Sequence, residues 1–413
     1  MSEKLPSWIC CQLGAREHYA IARALHQGGQ LAQLITDTWV PPQSALNLLP
    51  APLLANLRER FHADLTQASV HAFTNSLIRF ELTQRIQKTS GWERILARNC
   101  WFQQQAVQIL ATINPQINSR PTLFAYSYAA LELFRYAKTR GWRTILGQID
   151  PGLVEEKLVL EEHARHPTYQ SSWQPAPPHY WASWQEECSL ADRILVNSLW
   201  SSQALQQVGI PADKIDIIPL AYQPPQQACT FVRTYPSVFS SERPLRVLFL
   251  GKVNLAKGVA ALLEAAEILR EQPIEFWLVG SPGIARPPQS PDYKQVKWIG
   301  SVSRSATATY YQQADVFLFP TLSDGFGLTQ LEAQAWKMPI IASRFCGEVV
   351  KDEVSGLILQ DVTGEAIANA LLFCLSNPQQ LEAFARATDN TSHFGFGLLQ
   401  LQHHLQALPY AVI

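Results

Sequence analysis

The stretch of residues 320–343 constrains the fold more than any other part of the chain. Its sequence is PTLSDGFGLTQLEAQAWKMPIIAS, and the apolar run Val316–Phe319 precedes it. A short apolar run is typical of a buried strand, and Ser-Asp-Gly-Phe-Gly is a turn with two glycines. Residues 328–337 contain no Gly or Pro and predict a helix, which Pro339 ends before a second apolar strand at 340–342. The sequence therefore predicts a βαβ unit of an α/β fold.

The glycine loop of this unit suits a phosphorylated ligand. Glycine lets the backbone approach a ligand closely, and the helix that follows offers N–H groups and a partial positive charge at its start. Asp324 in the loop and Glu332 in the helix could accept hydrogen bonds from sugar or ribose hydroxyls. A capped surface turn followed by an amphipathic helix explains these residues equally well, because one glycine loop is a weak signal.

The composition narrows the class of protein. The chain has 413 residues, enough for two domains or more, and 47% of them are hydrophobic. The net charge of −1 argues against a basic nucleic-acid-binding surface. No apolar run approaches 18 residues, the first residues lack the features of a signal peptide, and the seven cysteines are scattered. We expect a cytoplasmic protein with reduced thiols, for which contact with the inner face of a membrane is an option but not a requirement.

The amino-terminal half predicts a strand, a glycine loop, a helix and a strand. The apolar run at 7–13 ends at Gly14, and a helix is predicted over 17–26 with a strand over 31–35. Residues 39–110 predict a helical insertion.

Asp150 follows another predicted strand of this half. It begins the turn Asp-Pro-Gly after the apolar run at 144–148, and ligands of open α/β sheets bind at the carboxyl ends of strands. A turn-forming role before Pro-Gly is an equally good interpretation of Asp150. Residues 166–184, rich in Pro and Trp, predict an ordered loop.

Two lysines follow the first predicted strand of the second half. Gly251 and Lys252 come directly after the strand at 245–250, and Lys257 comes just before a predicted helix. Lysines at such a turn suit a diphosphate, since each brings a charge and three donors. Solvated surface lysines are the alternative.

These motifs resemble the donor site of the retaining glycosyltransferases of family four, which are group 1 glycosyltransferases with the GT-B fold. The family pattern is Glu-Gly-Phe-Gly, four residues and Glu-Ala, and here Asp324-Gly-Phe-Gly precedes Glu332-Ala with Asp in place of the first Glu. Lys257-Gly258 matches the family's Lys-Gly, and Lys252 stands where the family has Arg.

The resemblance implies an α/β protein of the GT-B type, with two Rossmann-like, doubly wound domains facing a cleft. Residues 1–222 would form the acceptor-side domain, 223–243 a linker and 244–392 the donor-binding domain. A helix at about 393–413 would pack back on the first domain.

The resemblance also assigns roles to residues. Lys252 and Lys257 would contact the donor diphosphate, Asp324 the sugar hydroxyls and Glu332 the ribose, with Asp150 as a further catalytic candidate. The implied donor-binding residues are Gly251, Gly280, Gly325, Phe326, Gly327, Leu328 and Glu332. Gly14 and His18 would lie on the acceptor side, although an exposed position at a helix start explains His18 equally well.

The implied function is a retaining hexosyltransferase that moves a sugar from a nucleotide-sugar, with a UDP-sugar favoured, to a hydroxyl acceptor. The acceptor could be a saccharide, a lipid-linked sugar or a small metabolite. No Asp-x-Asp occurs in the chain, so we expect no metal ion and no cofactor. A non-catalytic GT-B nucleotide-binding or scaffold protein, or a phosphorylase-like GT-B enzyme, remain alternatives.

Overall fold

A computed structural model describes residues 7–44, 60–113, 120–169, 171–285, 294–391 and 395–408. Thirteen strands within these residues form two parallel sheets. The first sheet has seven strands: β1 (Trp8–Gln12), β2 (Leu31–Thr36), β3 (Val70–Ala72), β4 (Thr122–Tyr126), β5 (Arg143–Gly147), β6 (Arg193–Val196) and β7 (Ile215–Ile217). The second has six: β8 (Leu245–Leu250), β9 (Ile274–Val279), β10 (Val296–Gly300), β11 (Val316–Phe319), β12 (Ile340–Ser343) and β13 (Gly356–Leu359).

The two sheets share one topology. Their strand orders are β3-β2-β1-β4-β5-β6-β7 and β10-β9-β8-β11-β12-β13. In each sheet the direction in which strands are added reverses between the first strand and its other neighbour, that is, between β1 and β4 and between β8 and β11. This is the order of a doubly wound Rossmann sheet, which binds ligands at that reversal, beyond the carboxyl ends of the strands. The structure thus confirms the prediction of two Rossmann-like, doubly wound domains.

Helices cover both faces of the sheets. Those of the amino-terminal part are α1 (Ala20–Gln27), α2 (Thr74–Ile86), α3 (Gly91–Thr112), α4 (Leu131–Thr139), α5 (Leu153–Arg165), α6 (Pro178–Leu190) and α7 (Leu199–Gln207). The remaining helices are α8 (Gln226–Cys229), α9 (Val259–Ile268), α10 (Arg304–Gln313), α11 (Leu328–Ala335), α12 (Gly364–Ser376), α13 (Pro378–Thr391) and α14 (Leu398–Gln406). Because both faces are covered, strands such as β1 and β11 are buried along their whole length.

The carboxyl-terminal helix α14 packs against α1 of the first domain. Leu401 and Leu405 are buried in the same apolar cluster as Ile21 and Leu25. The side chain of Gln406 donates to Gln30, at 3.3 Å.

Three sequence predictions of local structure are wrong. The segment 166–184, predicted as a loop, contains the start of α6, because Pro178 occupies a first-turn position that needs no N–H. The predicted insertion at 39–110 is not wholly helical, since it supplies edge strand β3; its residues 45–59 lie outside the described part.

The third difference is the start of the first helix. It was predicted from residue 17, but α1 begins at Ala20. Glu17, His18 and Tyr19 have left-handed φ angles of 52°, 52° and 59°. Three such non-glycine residues in succession form a strained connection, typical of a segment held by its surroundings near a functional site.

Candidate active site

A cavity of about 670 Å³ lies between the two sheets. Its first wall comes from the loop after β1 and neighbouring segments: Leu13, Gly14, Ala15, Arg16, Glu17, Arg60, Ile149, Asn197 and Leu220. Its second wall comes from the ends of β8 and β11 and from the start of α11: Phe249, Leu250, Gly251, Lys257, Phe319, Asp324, Phe326, Gly327, Leu328 and Thr329. The reversal points of both sheets therefore open into the same space.

The first wall is built around Gly14 and the buried carboxylate of Asp37. Gly14 has a left-handed φ of 85°, and a Cβ atom there would lie 2.5 Å from the Arg60 guanidinium. Its N–H donates to Asp37 Oδ1 at 3.1 Å. Asp37 also pairs with Arg60 at 3.4 Å and with Arg98 at 2.7 Å. Sequence reasoning missed this cluster; the signal available was a polar run, Thr36-Asp37-Thr38, at the end of a predicted strand.

The second wall presents Lys257. Asn254 accepts a hydrogen bond from the Lys257 N–H at 3.1 Å, and the left-handed Gly258 packs so closely on the Pro320 carbonyl that a Cβ would lie 1.8 Å from it. These contacts fix the turn that aims the side chain, which forms an ion pair with Asp324. Burial lowers the pKa of Lys257, but Asp324 and Glu155 outweigh burial and leave that pKa raised.

The glycine loop brings Asp324 and the start of α11 to the cavity. Asp324 Oδ1 accepts the N–H of Phe326, a predicted donor-binding residue, at 3.0 Å, so this amide is engaged within the loop. Gly327, Leu328 and Thr329 line the cavity, where the start of the helix offers N–H groups. The Phe326 ring is buried against Gly347 and Phe396.

Glu332 lies behind the second wall rather than among the residues that line the cavity. Its Oε2 accepts a hydrogen bond from the Tyr311 hydroxyl at 2.8 Å, and Arg304 is 4.0 Å from its Oε1. Burial raises the pKa of Glu332. Arg304 also reaches His18 Nδ1, 3.3 Å away on the first domain. Burial, followed by Arg304, lowers the pKa of His18 to about 4, so this imidazole is neutral at pH 7.

Three glycines predicted at the donor site occupy places where a side chain would not fit or would be strained. Gly251 lines the cavity, and a Cβ on Gly280 would lie 1.7 Å from the Gly251 carbonyl oxygen. A Cβ on Gly325 would lie 2.3 Å from the carbonyl oxygen of Ile149, in the other domain. Lys252, in contrast, is exposed and does not line the cavity.

Two acidic residues of the first domain, Asp150 and Glu155, lie next to the glycine loop of the second domain. Asp150 Oδ1 accepts hydrogen bonds from the Tyr128 hydroxyl and from Gly152 N–H, and Asp150 does not line the cavity. Burial raises the pKa of Asp150. Glu155, in the first turn of α5, was not predicted; it accepts from the Ser323 hydroxyl at 3.4 Å. Burial, followed by the neighbouring Asp150, raises the pKa of Glu155 to about 8.

A family model covers most of the second domain. Residues 244–377 match the model described as group 1 glycosyl transferases. These residues are a group 1 glycosyltransferase domain. The domain contains Lys257, Asp324 and the start of α11, and so supplies the second wall of the cavity. The predicted resemblance to group 1 glycosyltransferases is confirmed for this domain, while membership of family four stays a prediction.

Curated relatives match part of the chain. A protein of Kineococcus radiotolerans named D-inositol 3-phosphate glycosyltransferase is 30% identical over 248 residues, which are 52% of this chain and 56% of that protein. The amylovoran biosynthesis glycosyltransferase AmsK of Erwinia amylovora is 25% identical over 192 residues, 43% of this chain and 46% of its own. The chain thus matches about half the length of these relatives.

Solved structures resemble the whole described fold. HepE of Anabaena in complex with UDP matches with a TM-score of 0.61 at 14% identity, covering 96% of this chain and 98% of that one. Sucrose-phosphate synthase from Thermosynechococcus elongatus matches with a TM-score of 0.64 at 16% identity, covering 96% and 97%. At these identities the likeness shows the fold alone. It confirms the GT-B fold, in which the group 1 domain is one of two Rossmann-like domains.

Membrane-spanning helices and clusters of metal-binding side chains are two further features that the described residues can be checked for. None of their helices combines the length and apolar character that crossing a bilayer requires. Within the same residues, no three His, Cys, Asp or Glu side chains are grouped as metal ligands.

Proposed function

We propose that this chain is a retaining glycosyltransferase of family four that transfers a hexosyl group from a nucleotide-sugar to a hydroxyl acceptor without a metal ion. The observation that carries the proposal is the shared cavity. It combines the reversal points of two Rossmann sheets with a lysine, a carboxylate and a helix start on the group 1 domain.

The second wall has the groups that a departing diphosphate needs. Lys257 would pair with the diphosphate, together with the N–H groups at Gly327–Thr329, and preorganised charges of this kind are usually the largest catalytic contribution. The diphosphate would take the place of Asp324 beside Lys257 and free that carboxylate for the sugar hydroxyls. Glu332, which already accepts the Tyr311 hydroxyl, would accept a ribose hydroxyl.

The donor in this proposal is a UDP-sugar. The solved structures of HepE include complexes with UDP and with UDP-glucose, and this supports a uridine nucleotide for a chain of the same fold. The acceptor would be a saccharide, a lipid-linked sugar or a small metabolite. The names of two relatives refer to inositol 3-phosphate and to amylovoran biosynthesis. All seven cysteines are free, which supports a cytoplasmic location.

Ligand-induced thermal stabilisation tests the donor site. UDP, GDP and ADP are each added to wild type, Lys257→Ala and Glu332→Ala at increasing concentration. A nucleotide at one hundred times its dissociation constant should stabilise the wild type by about 2.7 kcal/mol. Stabilisation by UDP that both variants lose supports the proposal, whereas no response to any nucleotide argues for a non-catalytic protein.

Two further measurements test the reaction. A nuclear magnetic resonance spectrum of the product gives the anomeric configuration, which should equal that of the donor. Turnover should persist in a chelator; activity that disappears and returns with a divalent ion contradicts metal independence.

A further inference from the structure

In the described part of the chain, the first wall of the cavity carries more positive charge than its carboxylates neutralise. Among the described residues, Arg60 and Arg98 share the single carboxylate of Asp37, so this partly buried cluster keeps a net positive charge. Asp37 is fully buried and accepts five donors in all, including the N–H groups of Gly14 and Thr38. Such a carboxylate is held as part of the scaffold and cannot turn to meet a ligand.

Arg60 is the member of this cluster that reaches the cavity. Its Nη1 lies 3.4 Å from both oxygens of Asp37, a longer contact than the 2.7 Å of Arg98. A guanidinium has five donors in a planar fork, and this loose contact leaves part of the fork for a ligand. The absence of a side chain at Gly14 lets the guanidinium lie against the loop.

Arg16 adds a second guanidinium on the same wall. It lies over the Tyr126 ring, 5.6 Å from its centroid, and lines the cavity. No carboxylate oxygen among the described residues lies within 4.0 Å of its guanidinium nitrogens. The adjacent Glu17 instead accepts the Tyr126 hydroxyl at 3.1 Å. The Arg16 charge counteracts the burial that raises the pKa of Asp150, so Arg16 lies near this carboxyl group of the first domain.

From this geometry we infer that the acceptor carries an anionic group, a phosphate or a carboxylate, that Arg16 and Arg60 bind. Planar guanidinium groups recognise these oxyanions through paired hydrogen bonds. The inference rests on the proposed function, because it assigns the first wall to the acceptor. It separates the two walls by role: Lys257 and the start of α11 hold the donor diphosphate, and the two arginines select the acceptor by charge.

The test measures anion binding by isothermal titration calorimetry, with and without saturating UDP. The probes are inorganic phosphate, glucuronate and neutral glucose, in a low-salt buffer. We expect phosphate, glucuronate or both to bind saturably in the presence of UDP, at least tenfold more tightly than glucose. Phosphate binding alone identifies a phosphorylated acceptor, and glucuronate binding alone a sugar acid.

The variants are Arg16→Gln, Arg60→Gln, Arg16→Lys and the control Arg165→Gln, which alters an arginine exposed on α5. Arg16→Gln and Arg60→Gln should each weaken anion binding at least tenfold and leave UDP affinity within about twofold, and Arg16→Lys should recover part of the loss. Arg165→Gln should bind like wild type. Because the Arg16 side chain has no hydrogen-bonded partner among the described residues, its variant tests the inference even if Arg60→Gln unfolds the Asp37 cluster.

Three outcomes overturn the inference. Displacement of the anion by UDP would mean that the arginines bind the donor diphosphate. Equal binding by wild type and both glutamine variants would remove the arginines from the site. Absence of anion binding while UDP binds would mean that the acceptor is neutral, with the proposed function intact. Absence of UDP binding would instead contradict the proposed function, and the UDP-free titration would still decide the anion site.

Discussion

The side chain of Lys257 links the glycine loop to the first domain. It pairs with Asp324, and Glu155 of the first domain is near enough to raise its pKa. We expect Lys257→Ala to lower kcat at least about tenfold, or about 1.4 kcal/mol, because the leaving diphosphate loses its charged partner. Steady-state kinetics measures the effect, with Lys157→Ala on the exposed face of α5 as the control. Normal kinetics in Lys257→Ala would remove this residue from the mechanism.

Glu155 predicts a dependence of stability on pH. Its pKa rises from 4.5 to about 8 in the folded chain, so the folded state keeps a proton that the unfolded state releases. The contribution of this group to the stability of the folded state is therefore fully present below pH 4.5, and it is lost as the pH rises towards 8. Glu155→Gln stays neutral, and its Tm should rise relative to wild type between pH 5 and 8.

Thermal melts at pH 5, 6.5 and 8 measure this difference. The matched control is Glu161→Gln, which removes an exposed carboxylate from the same helix. A difference in Tm between Glu155→Gln and wild type that stays constant with pH would contradict the prediction.

Single residues differ in how far the sequence predicts them. Asp324 and Lys257 belong to short motifs, and the chain places both at the cavity. Asp37, Arg60 and Glu155 carry no local motif, because their roles depend on contacts between segments distant in sequence. Asp37 meets Arg98, 61 positions away, and Glu155 meets Ser323, 168 positions away. Periodicity and turn rules describe neighbours along the chain and do not report such contacts.

At the scale of elements, a carboxylate from one helix caps another. Helix α4 has no capping side chain of its own at its amino-terminal end. Glu187 on α6 instead accepts the N–H groups of Tyr128, Ala130 and Leu131, at 2.7, 2.8 and 3.1 Å. Burial raises the pKa of Glu187 to about 7, against the opposing effect of these hydrogen bonds.

This cap predicts the effect of removing Glu187. Glu187→Ala leaves three N–H groups without their acceptor, and an unsatisfied buried group costs about 1–3 kcal/mol, so we expect a loss of at least about 3 kcal/mol in the free energy of unfolding. Glu187→Gln retains one acceptor oxygen and should lose less. Glu186→Ala, which removes the adjacent exposed carboxylate, should have a much smaller effect. Urea denaturation compares the three, and equal losses in Glu187→Ala and Glu186→Ala would rule out the cap.

The elements that the sequence predicted well are those with a strong local pattern. Strand β11, the glycine loop and α11 follow the predicted order, because an apolar run, two glycines and an uninterrupted helical segment each point to one structure. The start of α6 was missed because Pro and Trp suggested a loop, whereas proline fits the first turn of a helix. The left-handed segment at 17–19 has no glycine to signal it, so its conformation depends on tertiary contacts.

At the scale of the whole molecule, the glycine loop is also a contact between the domains. The Trp200 indole donates to Ser323 at 3.0 Å, and Ser201 donates to the Gly325 carbonyl at 3.3 Å. Nearby, the Leu199 N–H donates to Glu348 at 2.9 Å. The loop that carries Asp324 is therefore hydrogen-bonded to the first domain, and ligand binding at Asp324 would be coupled to closure of the cleft.

Gly325 offers the sharpest test of this coupling. Its φ is not left-handed, so alanine is compatible with its backbone, but the added Cβ would lie 2.3 Å from the Ile149 carbonyl oxygen across the cleft. Neither group can rotate away, since the neighbouring atoms are backbone. Gly325→Ala should therefore separate the walls, which small-angle X-ray scattering with UDP would detect as a larger radius of gyration than wild type. Turnover should fall at least tenfold while both domains stay folded by circular dichroism. Gly395→Ala, at an exposed glycine with no atom within 4 Å of the added Cβ, is the matched control. If Gly325→Ala scatters and turns over like this control, the glycine loop does not control the spacing of the two walls.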